Sequence, residues 1–240
     1  MGWLLTLPER KHSWYAEEVS REMGFPFAAH ATPEQRARFA DLYFADRQTA
    51  GFPRNIMEGE VDGVPFVMMD LQDWHQSTRN SRLRDKTVVL FPELLLGLPN
   101  CALQPGWPRL IKALTMWLMR WTAPESVAAN LDFAEAVCDS PPFDPSDITF
   151  ARQYLLMGDL GRGVTDVSAL RKVFTREVRV FFAEHPGWSV VLDKGRLSVW
   201  RGTSWCPARE RPKLLSSAFA VYRLFVRPGQ REGHLIAPQA

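Results

Sequence analysis

Two runs of strand-like alternation, each folded about a turn signal, dominate the hydrophobic pattern. Ile56–Leu71 reads as a β-hairpin around Asp62-Gly63, a dipeptide that supplies the positive φ angles of a tight turn. Trp188–Trp200 repeats the arrangement and turns at Asp193-Lys194-Gly195. Shorter apolar runs, Thr87–Phe91 and Cys101–Gln104, predict two further strands, and Phe150–Met157 a third. Residues Gln72–Lys86 between the first hairpin and Thr87 read as a polar, arginine-rich loop.

The helical period governs the remaining long segments. Ser13–Met23 predicts a helix with Tyr15, Val19 and Met23 on its apolar face and Gly24 as its stop. Thr32-Pro33-Glu34 supplies a capping hydroxyl, a proline at the first helical position and an acid favoured by the helix dipole. That helix is expected to reach about Gln48 and to bury Phe39, Leu42 and Tyr43. Later, Val167–Glu184 reads as one helix with Leu170, Phe174, Val178 and Phe181 in a stripe. After a proline-marked loop, Trp205–Pro212, a last helix spans about Lys213–Val226 and buries Leu215, Ala218, Tyr222 and Phe225.

The order of elements predicts an α+β protein whose antiparallel hairpins are covered by helices. Regular crossovers of a doubly wound parallel sheet are missing from the pattern. Thr122–Asp147 holds Pro124, Pro141, Pro142 and Pro145 without clear periodicity, which marks a linker. The expected organisation is an N-terminal lobe over 1–121, a linker over 122–147 and a C-terminal lobe over 148–240. Each lobe places a hairpin between helices, and the two lobes are a candidate pair of similar units.

A chain of 240 residues with 46% hydrophobic and 23% charged residues falls in the globular range. Its formal net charge of +2 gives no bulk electrostatic reason to expect nucleic acid as a partner. Cys101, Cys138 and Cys206 are scattered singly, which suits a reducing compartment better than a disulfide framework. The apolar start, Met1–Leu7, is cut short by Pro8-Glu9-Arg10-Lys11, and no later run reaches the roughly 18 apolar residues of a membrane span. The expected location is the cytoplasm.

Reactive signatures are sparse. Gly158-x-x-Gly161-x-Gly163 departs from both the dinucleotide fingerprint and the P-loop, and reads as a flexible connection. Asp70, Asp73 and His75 could be drawn together as metal ligands, but alternation places the two acids on opposite faces of a strand. His12, His30, His185 and His234 stand alone near turns or termini and read as solvated, so neither a metal nor a cofactor is expected. Glu58 and Glu60 share one face of a predicted strand, which could set two carboxylates side by side for acid–base chemistry, against the plainer reading of solvated residues near a turn. Trp74, His75, Arg79, Arg82 and Arg84 form a loop that could grip an anion or an acidic partner, against the plainer reading of a solvated connection.

The most unusual helix is Trp107–Trp121. Trp107, Leu110, Ile111, Leu114, Trp117, Leu118 and Trp121 make one apolar stripe, while Met116 and Met119 lie among Arg109, Lys112 and Arg120. Burial between two lobes explains such a helix. So does docking to a partner or an anionic membrane surface, with Trp107, Arg109, Lys112, Met116, Met119 and Arg120 as the contact residues.

Glu58, Gly59, Gly63, Pro65 and Phe66 match the Glu-Gly-x-x-x-Gly-x-Pro-Phe hairpin of an uncharacterised bacterial family that this chain resembles. The likeness extends from about Phe39 to Val226 through Phe150–Met157, Val167–Glu184 and Gly195-Arg196-Leu197. Its matching positions are turn formers and core apolars, so it implies a fold and carries over no catalytic residue. Many members are membrane-attached through hydrophobic helices. The expectation is therefore a non-enzymatic binding protein or accessory subunit with a protein partner, at a membrane surface or in the cytoplasm. The alternative is a hydrolase or transferase using Glu58 and Glu60 or the loop around His75.

Overall fold

Residues 7–39, 53–73, 84–92, 98–106, 133–138, 144–158, 166–202 and 205–226 are described by the computed structural model. Both predicted hairpins form. Strands β2 (Arg54–Val61) and β3 (Val64–Asp73) turn at Asp62 and Gly63, with φ of 52° and 75°. Strands β7 (Trp188–Asp193) and β8 (Arg196–Arg201) turn at Lys194 and Gly195, with φ of 52° and 74°. Two successive positive φ values define the type I′ turn, whose twist matches that of the flanking strands.

The protein is α+β: six helices and eight strands occur among the described residues, and the strands pair antiparallel within each unit. The described residues divide into two compact units. The first draws on Met1–Pro92 and Trp200–Arg223, the second on Glu93–Val199 and Leu224–Arg227.

In the first unit the strands lie in the order β1-β2-β3-β4, where β1 is Phe27–His30 and β4 is Arg84–Phe91. β3 pairs with β4 from Val67↔Leu90 to Asp73↔Arg84. The polar segment between them is thus shorter than the expected 72–86, because the strands pair on past their apolar cores. Helix α1 (Leu7–Glu22), helix α2 (Pro33–Phe39) and most of helix α6 (Arg211–Phe225) complete the unit. Its core is aromatic. Phe66 meets Phe25 and Phe219 at centroid distances of 5.0 and 5.9 Å, and Phe91 meets Phe219 and Tyr222 at 5.1 and 4.7 Å. Gly59 is required there: a Cβ at that position would collide with the Phe25 ring.

In the second unit the order is β8-β7-β5-β6, with β5 at Cys101–Pro105 and β6 at Tyr154–Met157. Helices α3 (Pro145–Gln153), α4 (Val167–Val173) and α5 (Arg176–Glu184) accompany them. Phe150, Tyr154, Phe174, Phe182 and Phe225 form a chain of ring contacts between 5.5 and 6.4 Å.

Several expectations are corrected. Phe150–Met157 is not one strand: Asp144 caps Ser146 N–H at 2.9 Å, Pro145 opens α3, and the strand starts only at Tyr154. Val167–Glu184 is two helices, because the Thr175 hydroxyl accepts from Val178 N–H and starts a new one. Phe182 is buried in α5, and Phe181 only partly. Over residues 12–22 of α1 the buried residues are Ala16 and Ser20, whereas Tyr15 is 52% exposed. The last helix begins at Arg211, two residues before its expected start, preceded by a 3-10 turn at Ala208–Glu210. Leu42, Tyr43, the run 159–163 and the helix predicted over Trp107–Trp121 lie outside the described residues.

Candidate functional site

An acid in the middle of a buried strand is the seed of the site. Asp70 follows Met68 and Met69 in β3, all three with 5% exposure or less. A carboxylate placed there needs partners, because an unpaired buried charge costs several kcal/mol, roughly. The first unit supplies them from four directions.

β4 sets Thr87 directly opposite Asp70, and the threonine hydroxyl donates to Asp70 Oδ1 at 2.6 Å. In β2 the pairing register slips between Arg54 and Met57, and Asn55 sits there with φ 49°. Asparagine tolerates that left-handed conformation better than most residues. Its Nδ2 donates to Asp70 Oδ2 at 2.8 Å. The first residue of α6, Arg211, is fully buried and donates from Nη2 to the same oxygen at 2.6 Å. Arg211 Nη1 also donates to the Asn55 carbonyl at 3.3 Å.

The fourth partner is His12 of α1, whose Nε2 lies 3.0 Å from Asp70 Oδ2. Arg211 Nη2 is 3.5 Å from the same nitrogen. The shorter carboxylate contact assigns the proton to Nε2, since a protonated nitrogen donates to Asp70 and cannot accept from Arg211. His12 was expected to be solvated, and the structure overturns this: its side chain is only 10% exposed. Its ring stacks on Trp205, with centroids 3.7 Å apart and planes tilted by 34°. Next to Trp205, Cys206 N–H donates to Thr87 Oγ1 at 2.8 Å, tying this segment to the same network.

The electrostatics follow from this geometry. Burial by itself would raise the Asp70 carboxyl, but the Arg211 charge and hydrogen bonds from His12, Thr87 and Asn55 outweigh it and hold the group below its ordinary value of 3.8. Asp70 is an ionised, fully engaged anchor and a poor base. Burial pushes the Cys206 thiol up to about 11 against the pull of Arg211, and the buried Cys101 thiol up to about 12. Neither presents a thiolate nucleophile near neutral pH. Two buried polar atoms in the network, Asn55 Oδ1 and Arg211 Nε, have no hydrogen-bond partner among the described residues.

His12 is where this interior network meets the surface. It lines a groove of about 640 Å³ whose one wall is α1, through Tyr15, Glu18, Val19 and Glu22. The other wall is the segment Trp205, Pro207, Ala208, Arg209 and Pro212. Just beyond the groove Trp14 is 58% exposed and packs edge-on against Tyr15 at 4.8 Å. The apolar surface of the groove thus runs outward along α1.

The residues singled out from sequence are elsewhere. Glu58 is held in the first unit by Gln35 Nε2 at 2.6 Å and Arg38 Nη2 at 3.1 Å, while Glu60 is exposed at the far end of β2. Arg84 opens β4; Trp74, His75, Arg79 and Arg82 lie outside the described residues, as do Trp107, Arg109, Lys112, Met116, Met119 and Arg120. No group of three or more His, Cys, Asp or Glu among the described residues is placed to hold a metal ion, and none of the described helices is long and apolar enough to cross a membrane. One signal for this network was present in the sequence: an aspartate inside the otherwise apolar Phe66–Leu71 run demands buried partners.

Neither a protein-family model nor a curated protein matches the chain. Among solved structures, the mycobacterial trehalose monomycolate transport factor A, TtfA, is similar in fold: the TM-score is 0.54 at 11% identity, over 90% of this chain and 94% of that one.

Proposed function

We propose that this chain is a non-enzymatic binding protein, an accessory subunit that acts through protein–protein contacts. The observation that carries the reading is the exposed Trp14–Tyr15 pair continuing into the groove between α1 and Trp205–Pro212. Large aromatic side chains left in solvent beside a concave surface are the usual anchors of protein recognition. The chemistry beneath the groove supports binding over reaction. Asp70 is committed to four donors, and the nearby Cys206 thiol is held far above neutrality. The name of TtfA, a transport factor, is in keeping with an accessory role, and on that likeness we extend the proposal to a transport assembly.

The sequence of Trp107–Trp121 adds a second proposed contact, with Met116 and Met119 meeting a partner and Arg109, Lys112 and Arg120 favouring an acidic or anionic membrane surface. The Trp14–Tyr15 reading is tested by affinity capture from native lysate with the full chain and with a Trp14→Ser/Tyr15→Ser variant. Loss of specific partners at unchanged thermal stability is the expected result. An identical set of captured proteins would refute it.

A further inference from the structure

The walls of the groove carry unequal charge. Glu18 and Glu22 lie one turn apart on the α1 wall, and neither has an ion pair or hydrogen bond among the described residues. Their neighbour Glu17, which does not line the groove, is by contrast bound to Arg21 at 3.1 Å. Between and opposite the two acids are Tyr15, Val19, Trp205, Pro207, Ala208 and Pro212. Among the described residues of the lining, Arg209 is the one arginine or lysine, and His12 lies at its base. Below them, the charges of Asp70 and Arg211 are spent on each other, so the field at the groove is set by its rim.

From this arrangement we infer that the groove receives a short cationic segment of a partner protein, one or two Arg or Lys side chains flanked by apolar ones. The basic groups meet Glu18 and Glu22, and their aliphatic stems and apolar neighbours cover Tyr15 and Trp205. A guanidinium fits best, because it can stack on an aromatic face while it bonds a carboxylate. Arg209 on the opposite wall sets direction: it repels a second basic cluster and favours a polar or acidic residue at that end. A peptide is preferred to a small ligand because the apolar surface does not stop at the groove but continues over Trp14. This inference rests on the binding-protein reading and narrows it to a partner chemistry.

The test is selection of a phage-displayed random-peptide library on the full chain, followed by affinity measurement with a synthetic copy of the most enriched peptide. Enriched sequences should place Arg or Lys beside Leu, Trp or Pro, and binding should weaken as salt is raised. Glu18→Gln/Glu22→Gln should bind that peptide about tenfold more weakly at unchanged thermal stability, and Glu18→Lys/Glu22→Lys more weakly still. Enrichment of acidic peptides, no enrichment, or affinity indifferent to both double variants would overturn the inference. So would selective binding of a saccharide on a glycan array, which the aromatic and carboxylate lining would also suit. The two proposals fail separately. If the Glu variants keep every captured partner while Trp14→Ser/Tyr15→Ser loses them, only the cationic-segment inference falls.

Discussion

Among the described residues each unit buries one arginine–aspartate pair, and the two pairs are built to different ends. In the second unit Arg179 of α5 grips Asp147 of α3 with both edges of its fork, Nε to Oδ1 at 2.6 Å and Nη2 to Oδ2 at 3.2 Å. Its Nη1 donates to the carbonyls of Val137 and Phe174 at 3.2 and 2.8 Å. Arg179 thereby closes the break between α4 and α5 and fastens residues 133–138 beside α3. In the first unit Arg211 reaches one carboxylate oxygen that it shares with His12 and Asn55, and its Nε has no partner among the described residues. The first arrangement is a closed staple. The second is a network that extends through His12 to a groove. A buried ion pair is therefore no evidence of function in itself; the two differ in that a further partner of the first pair, His12, lines a groove.

The largest effects expected are on the pairs themselves. Arg179→Met should destabilise the protein by roughly 3–5 kcal/mol, since it leaves a buried carboxylate without its guanidinium and two carbonyls without their donor. Arg211→Met should cost about 3 kcal/mol, the low end of that range, because Asp70 retains donors from His12, Asn55 and Thr87. Urea denaturation of the two variants measures the difference. A larger loss for Arg211→Met would mean that the first network, and not the second, is the main staple.

Acid should then distinguish the first network further. Asp70 has a folded pKa below its unfolded value of about 3.8, so the stability it contributes is complete above that value and is lost as pH falls through the folded pKa. In Arg211→Met the counter-charge is gone, which moves the folded Asp70 pKa up relative to the parent. Protonation of Asp70 then costs the variant less stability than it costs the parent. The stability gap between them should narrow steadily from neutral pH towards pH about 3. A gap independent of pH would show that Asp70 gains nothing from the guanidinium charge.

These two pairs also show how far the sequence can be read. The hairpins were legible because their signals are local: a positive-φ dipeptide between alternating runs fixes the register of both strands. Local signals were overlooked as well. Asp144-Pro145 carries the same cap-and-proline signature as Thr32-Pro33, yet its neighbouring prolines made the stretch resemble a linker. The apolar stripe across Val167–Glu184 concealed the Thr175 cap, because helical spacing survives a one-residue break. The Asp70 network is illegible for another reason. Its partners lie 15, 17, 58 and 141 residues away along the chain, and one of them, Asn55, points inward only because of a register slip. Sequence can say that a buried aspartate or an arginine in an apolar stripe, such as Arg179 between Val178 and Phe182, needs a partner. It does not say which.

A smaller effect is expected one bond out from the first pair. Thr87→Val keeps the shape of the side chain but removes the donor to Asp70 Oδ1 and the acceptor of Cys206 N–H. The cost should be about 1–3 kcal/mol. Because the Cys206 segment loses its tie, maleimide labelling of Cys206 should accelerate. Cys138, buried in the second unit with its Sγ 3.1 Å from the Ala134 carbonyl, should label at its parent rate and serves as the internal control. Equal acceleration at both would signal global loosening and would dissolve the distinction between the two regions.

The smallest effect concerns His12, the residue that makes the first network an open one. It has two separable attachments: the Nε2–H bond to Asp70 and the ring stacked on Trp205. His12→Phe removes the first and keeps an aromatic face for the second. Asp70 Oδ2 still accepts from Arg211 and Asn55, so the loss should be about 1 kcal/mol. His12→Ala removes both, and the lost ring contact adds roughly 0.5–1.5 kcal/mol. Trp205 fluorescence provides the readout that stability alone lacks. It should stay near the parent in His12→Phe and shift to the red in His12→Ala, where water reaches the indole. If the two variants instead match in stability and in emission, the stacking contributes nothing, the Trp205 wall is held by Thr87 and the 3-10 turn alone, and the groove is independent of the buried pair beneath it.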